Sequence, residues 1–247
     1  MTSSTSAAII VALIFVLAGG VKGLIGLGLP TVAMGLLSLF MPPAAAAAIL
    51  LLPSFVTNVW QLSEGPRLPG LVRRLWPTLL TIFVSTVAAS SVIADGAFTG
   101  ANQALGGALL IYAIAGWCNF RLDVSRRAEA WLGPLVGALT GVVTGMTGVF
   151  VIPAVPYLAG LGLTRDELVQ ALGLSFTVST VALAIGLFWH DTLQMQSTVI
   201  SAVAVIPALF GMALGGWLRR RVAPERFRRW FFIGLAALAL HLLTSSH

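Results

Sequence analysis

Long apolar blocks fill this chain, and only short polar interruptions separate them. Apolar runs of 18 or more residues are long enough for a helix to cross a bilayer core about 30 Å thick. The pattern predicts helices over residues 7–21, 44–62, 75–94, 101–120, 195–218 and 227–243. Two more are expected, one starting near Ala130 and one behind Thr164. Thr164-Arg-Asp-Glu167 reads as a capping box, in which the Thr hydroxyl and the Glu carboxylate each satisfy a free backbone N–H at the helix start. Two apolar pieces, 31–41 and 154–163, are too short to cross unaided. About 11 residues of helix span only roughly 16 Å. Each either crosses as a half-helix or dips in and returns.

Both short pieces follow an unusual stretch. Gly19 to Pro30 holds five glycines among apolar residues, with Lys22 and Pro30. Glycine weakens a helix interior, and proline removes a backbone donor. In lipid, freed backbone groups must find protein or a water-lined cavity. Lys22 lies 15 residues beyond Ala7, roughly 22 Å along a helix axis. An ammonium at membrane depth costs at least about 2.5 kcal/mol on insertion scales. The stretch therefore reads as a break in a discontinuous helix, with Lys22 facing an anion. Two plainer readings stand beside it: glycines as a close-packing surface, and a lysine snorkelling to the headgroups.

The same punctuation returns in the second half, at Val143–Pro153. Gly145 and Gly148 lie 122 residues after Gly23 and Gly26, and Ser175-Phe176 lies 121 after Ser54-Phe55. A glycine ladder, Gly137, Gly141 and Gly145, leads into this second stretch. Phe150 stands where the first copy has Gly28, so the second break is expected to be less open.

Charge then decides between two topologies. The arginines gather around 67–74, 121–127 and 219–229, with Arg165 apart. With eight crossings, the most basic loop falls on the opposite side from the other two, against the positive-inside rule. With five segments per half, all the arginine loops share the cytoplasmic side. The turns at Asp95 and His190-Asp191 then lie outside, as do both termini. An odd count also inverts one half against the other, an arrangement of secondary transporters. The expected fold is an all-α polytopic membrane protein of two inverted repeats, about five segments each: eight full helices plus two short, broken or re-entrant segments. Residues 1–120 form the first repeat, 121–129 a cytoplasmic linker, and 130–247 the second.

Composition narrows the function. Only 9% of the 247 residues are charged, 58% are hydrophobic, and mean hydropathy is +0.98. A net charge of +6 would suggest nucleic acid in a soluble protein, but here the arginines sit in loops and set topology. The lone Cys118 and three scattered histidines offer no metal or cofactor site, and no disulfide. The N-terminus does not read as a removed signal peptide. His190-Asp191 is the one adjacent His–carboxylate pair and falls in a turn, so no catalytic residues are assigned. Ser54, Thr57, Asn58 and Gln61 share one face of the 44–62 helix. That face lines a cavity or forms a polar seam against a neighbour.

The residues Gly23-Leu-Ile-Gly-Leu-Gly-Leu-Pro30, Pro42-Pro43-Ala, and Pro53-Ser-Phe-Val-Thr-Asn-Val-Trp-Gln61 resemble the sulfite exporter TauE/SafE family. Thr144-Gly-Met-Thr-Gly-Val and Thr164-Arg-Asp-Glu-Leu168 look like that family's second repeat. The resemblance implies export of sulfite, sulfonates or related organic anions across the bacterial inner membrane. A small anion is then expected near the membrane centre between the two breaks. Its expected contacts are Lys22, Gly23, Gly26, Gly28, Pro30, Thr57, Asn58 and Gln61 from the first half. Thr144, Gly145, Thr147, Gly148, Ser175 and Ser179 come from the second. The partners are that anion and the bilayer, and homo-oligomerisation is left open. An anion channel and a structural or assembly subunit are the competing readings.

Overall fold

The computed structural model describes residues 2–94, 100–118, 123–219, 221 and 224–244, without the side chains of 2–5 and 224–226. The Asp95-Gly96 turn, Arg121, Arg220 and the last three residues lie outside the described residues, as does the side chain of Arg226. Among the described residues the chain is helical throughout. The first half holds α1 (Thr2–Ile25), α2 (Leu29–Leu37), α3 (Pro43–Ser63), α4 (Leu68–Ala94) and α5 (Ala101–Trp117). The second holds α6 (Arg126–Thr147), α7 (Ala154–Ala159), α8 (Arg165–Trp189), α9 (Met195–Leu218) and α10 (Pro224–Thr244). Eight helices are long, and α2 and α7 are the two short segments the pattern called for. Seven of the long helices are long and apolar enough to cross a membrane; α5, at 17 residues, is the eighth.

Several helix starts lie earlier than hydropathy alone indicated. α4 begins at Leu68 with Pro69 in its first turn, so Arg73 and Arg74 are helical rather than in a loop. α6 begins at Arg126 because Ser125 caps it, accepting from the Ala128 N–H. The capping box at Thr164 and Glu167 is formed. Each of these caps sits in polar sequence that an apolar window passes over.

The longest helices meet through glycine. On α1 and α9, a Cβ at Gly19 would lie 2.2 Å from the Ala208 carbonyl oxygen, and one at Gly215 2.1 Å from that of Gly20. On α6 and α4, a Cβ at Gly141 would lie 2.6 Å from the Ile82 carbonyl oxygen. Only small residues let backbones approach this closely in a membrane. The contacts rise in step along both members of each pair, so α1 runs parallel to α9 and α4 parallel to α6.

The most extensive packings are α1 on α9, α4 on α6, α5 on α10, α3 on α8, α4 on α8 and α3 on α9. Exchanging each helix of the first half with the one five places later returns the same set. Ion pairs fix the directions. Arg67 meets Glu167 at 2.8 Å, joining the α3–α4 turn to the start of α8. Arg74 meets Glu129 at 2.6 Å and the Leu161 carbonyl at 3.1 Å, joining the start of α4 to that of α6 and to the turn after α7. α1 finishes at this same end, because Gln61, two residues from the end of α3, bonds the Gly26 carbonyl. α9, parallel to α1, therefore also points here, toward Arg219 and Arg221. The arginine clusters thus share one end of the bundle. α1 runs toward that end and α6 away from it, as inverted copies must.

Candidate functional site

α1 continues as helix through Gly19, Gly20, Lys22 and Gly23. The first break is therefore shorter than the composition suggested, and spans residues 26–28. Gly26 and Gly28 hold φ of +85° and +107°, a region L side chains avoid. Gly28 caps α2 without a side chain, and its carbonyl accepts from the Thr31 hydroxyl at 2.9 Å and the Val32 N–H at 2.9 Å. Pro30 lies in the first turn of α2, where its missing N–H leaves no helix bond unmade. The Gln61 amide donates to the Gly26 carbonyl at 3.1 Å and pins the break to α3.

Lys22 occupies the last turn of α1 and is only 4% exposed. It does not snorkel. Its ammonium donates to the Thr57 hydroxyl at 3.2 Å and to the Asn58 side-chain carbonyl. The Thr57 hydroxyl gives its own proton to the Pro53 carbonyl at 2.7 Å, leaving its oxygen free to accept. Asn58 in turn donates to the Thr180 hydroxyl at 3.3 Å. One chain of bonds therefore runs from α1 through α3 to α8. Both partners of Lys22 are neutral, and among the described residues no carboxylate forms an ion pair with it. Around this chain the buried Ser54 hydroxyl and Gln61 carbonyl oxygen on α3, and the Ser175 and Ser179 hydroxyls on α8, have no hydrogen-bond partner. Buried polar groups normally find one, so unpartnered oxygens on two packed helices mark the interior of α3 and α8 as polar beyond structural need.

The structure thus joins Lys22, Gly26, Thr57, Asn58 and Gln61 directly, and places Ser175 and Ser179 on the helix packed against them. Other expected contacts have packing or backbone roles of their own. Gly23 and Gly145 sit in helix seams: a Cβ there would lie 2.1 Å from the Met212 carbonyl oxygen and 2.8 Å from that of Thr86. Thr144 and Thr147 turn their hydroxyl protons to their own helix, to the Thr140 and Val143 carbonyls. Thr147 then accepts from the Val149 N–H at 3.2 Å and holds the turn after α6, which Gly148 caps. Gly28 is packed under Val21, whose Cγ1 would lie 2.7 Å from an added Cβ. α7 has only six residues and no side-chain cap, too short to offer an N-terminal anion contact. Thr180 was missed. The repeat offset matches Asn58 to Ser179, and only the crossing of α3 over α8 selects the next residue.

The second break meets α2 rather than the first break itself. Gly148, at φ +70°, lies against Met34 of α2, whose Cε would be 3.0 Å from an added Cβ. Phe150 is 1% exposed and packs on Phe176 at 5.2 Å between ring centroids, so an aromatic pair fills the second break. The site is asymmetric: polar and cationic at the first break, aromatic at the second. Among the described residues no group of His, Cys, Asp and Glu could hold a metal.

The family model for the sulfite exporter TauE/SafE matches residues 11–242, nearly the whole chain. The chain belongs to the sulfite exporter TauE/SafE family. No curated protein and no solved structure gave a significant match. As a TauE/SafE permease it is a multi-pass membrane transporter by family rather than an enzyme, in keeping with its long apolar helices.

Proposed function

We propose that this TauE/SafE protein exports a small anion, such as sulfite, a sulfonate or a related organic anion, by alternating access around Lys22. The observation that carries the reading is the Lys22 ammonium, buried with two neutral oxygen partners. Burying a charge is costly unless it is paired. Thr57 and Asn58 orient the amine without neutralising it, and Glu64 reaches it only through its field, so a bound anion supplies the charge in direct contact. The Asn58 and Gln61 amides and the Ser175 and Ser179 hydroxyls would surround the anion's oxygens, and the glycine break would admit it close to backbone N–H groups.

The two repeats, 1–120 and 130–247, rock about the α3–α8 contact, with 121–129 as their link. The arginine end faces the cytoplasm of a bacterial inner membrane, and both termini face outward. An interior-negative potential favours anion exit by about 2.3 kcal/mol per charge per 100 mV, so a coupling ion is not required.

The test is efflux of sulfite, an alkylsulfonate and a small carboxylate from proteoliposomes under an imposed potential, comparing the native protein with Lys22→Gln. Saturable, potential-driven efflux of at least one anion is expected, with at least about a tenfold loss in the variant, the worth of one charge-assisted contact. Equal efflux by both proteins would remove Lys22 from the site. Efflux that fails to saturate would favour a channel.

A further inference from the structure

A second concentration of anion-binding chemistry lies at the arginine end, away from Lys22. A cavity of about 260 Å³ opens between α4, α6 and α7, and Arg74, Thr78, Arg126, Glu129 and Tyr157 line it. Arg74 and Glu129 cancel each other. Arg74 Nε and Nη2 meet the two carboxylate oxygens at 2.6 and 2.8 Å, and Nη2 also reaches the Leu161 carbonyl. That leaves the two Nη1 hydrogens of Arg74 unused.

Two further donors face the cavity. Arg126 is the first residue of α6, and its exposed side chain makes no ion pair or hydrogen bond with the described residues. A cation there stands at the positive end of the helix dipole, which disfavours it unless an anion is near. Tyr157 is wholly buried, yet its hydroxyl, beside that of Thr78 over Gly133, makes no hydrogen bond of ordinary geometry. A buried hydroxyl seldom stays unpaired. The cavity therefore carries a net charge of one positive unit, a guanidinium fork without a partner, a fixed guanidinium edge and a buried hydroxyl donor.

We propose that this cavity is a second oxyanion site, separate from Lys22, that takes a sulfite, sulfonate or phosphate group. The planar fork of Arg126 matches two oxygens of such a group, and Tyr157 and Arg74 Nη1 reach others. Two sources offer this chemistry: a free oxyanion waiting at the mouth of the transporter, or the phosphate of an anionic lipid at the membrane surface. The site does not depend on Lys22 being the transport centre.

The experiment uses the full chain with Arg126→Gln and Tyr157→Phe, each made in the native protein and in Lys22→Gln. Neither touches the Arg74–Glu129 pair, so the thermal midpoint without anion should stay within a few degrees. The first arm titrates sulfite and inorganic phosphate by calorimetry in detergent. The second counts phosphatidylglycerol against phosphatidylcholine retained on the protein by native mass spectrometry. In the Lys22→Gln background one anion site should remain, weakened about tenfold by Arg126→Gln and severalfold by Tyr157→Phe. Oxyanion binding lost in this way identifies a free-anion site. Phosphatidylglycerol retention lost in this way, without oxyanion binding, identifies a lipid-phosphate site. If neither arm responds to either substitution, the proposal fails and Arg126 serves topology alone.

Discussion

A single buried charge decides most of what can be said at the scale of residues. Lys22 is held by Thr57 and Asn58, neither of which carries charge. A lysine kept for stability would have a carboxylate beside it, since removing one partner of a buried pair costs about 3–5 kcal/mol. Among the described residues Lys22 has no such pair, only the field of Glu64. Lys22→Met relieves the desolvation of the ammonium and leaves the Asn58 carbonyl oxygen without its donor, which costs about 1–3 kcal/mol. The two effects oppose each other, so thermal melting should shift by only a few degrees while anion efflux falls to background. A protein that loses both fold and transport would show that the lysine is structural. The sequence marked Lys22 because an ammonium in an apolar run has few explanations. It also marked Thr57, Asn58 and Gln61 by their shared face. It did not show that Gly23 packs on α9, since a glycine in a membrane helix serves a seam and a site equally well.

Among the elements, the α1–α9 and α4–α6 pairs determine whether the bundle can form. Gly19 and Gly141 hold matching places in them, 122 residues apart. A larger side chain at either has backbone, not a flexible side chain, to displace. Gly19→Leu and Gly141→Leu should each lower stability by about 1–3 kcal/mol or more, as overpacking does. The loss is read as a fall in thermal midpoint and in the yield of monodisperse protein. Gly216, in the last turns of α9 with nothing within 4 Å of an added Cβ, is the control: Gly216→Ala should be neutral. Equal behaviour at all three positions would mean the seams are looser than their geometry. The glycine ladder was visible in the sequence as a spacing of four. Its partner strip on α4, built from backbone beside Thr78, Ile82 and Thr86, was not, because backbone carbonyls leave no signature in side-chain type.

For the whole molecule, the meeting of the arginine clusters at one end argues against the eight-crossing topology. Arg67 and Arg74 bond across to Glu167 and Glu129, and α9 runs alongside α1 toward the same end. In a Cys118→Ser background, cysteines at Gly65, Arg127 and Arg221 should share one accessibility to an impermeant thiol reagent in intact cells. A cysteine at Thr192, in the turn after α8, should show the other. With the arginine end cytoplasmic, the first three are protected and Thr192→Cys is labelled. Labelling of Arg221→Cys together with Thr192→Cys would restore the eight-crossing arrangement and end the inverted-repeat reading.

Hydropathy and charge alone determined the number of long helices, the two short ones, the duplication and the end where the arginines gather. These follow from transfer free energies and helix period, which are properties of local sequence. Tertiary structure decided which residues meet. It carried α1 through its glycines to Ile25, turned Lys22 onto α3, chose Thr180 over Ser179, and filled the second break with Phe150 and Phe176. Those choices depend on how helices cross and how closely their backbones approach, and contacts between residues distant in the chain set both.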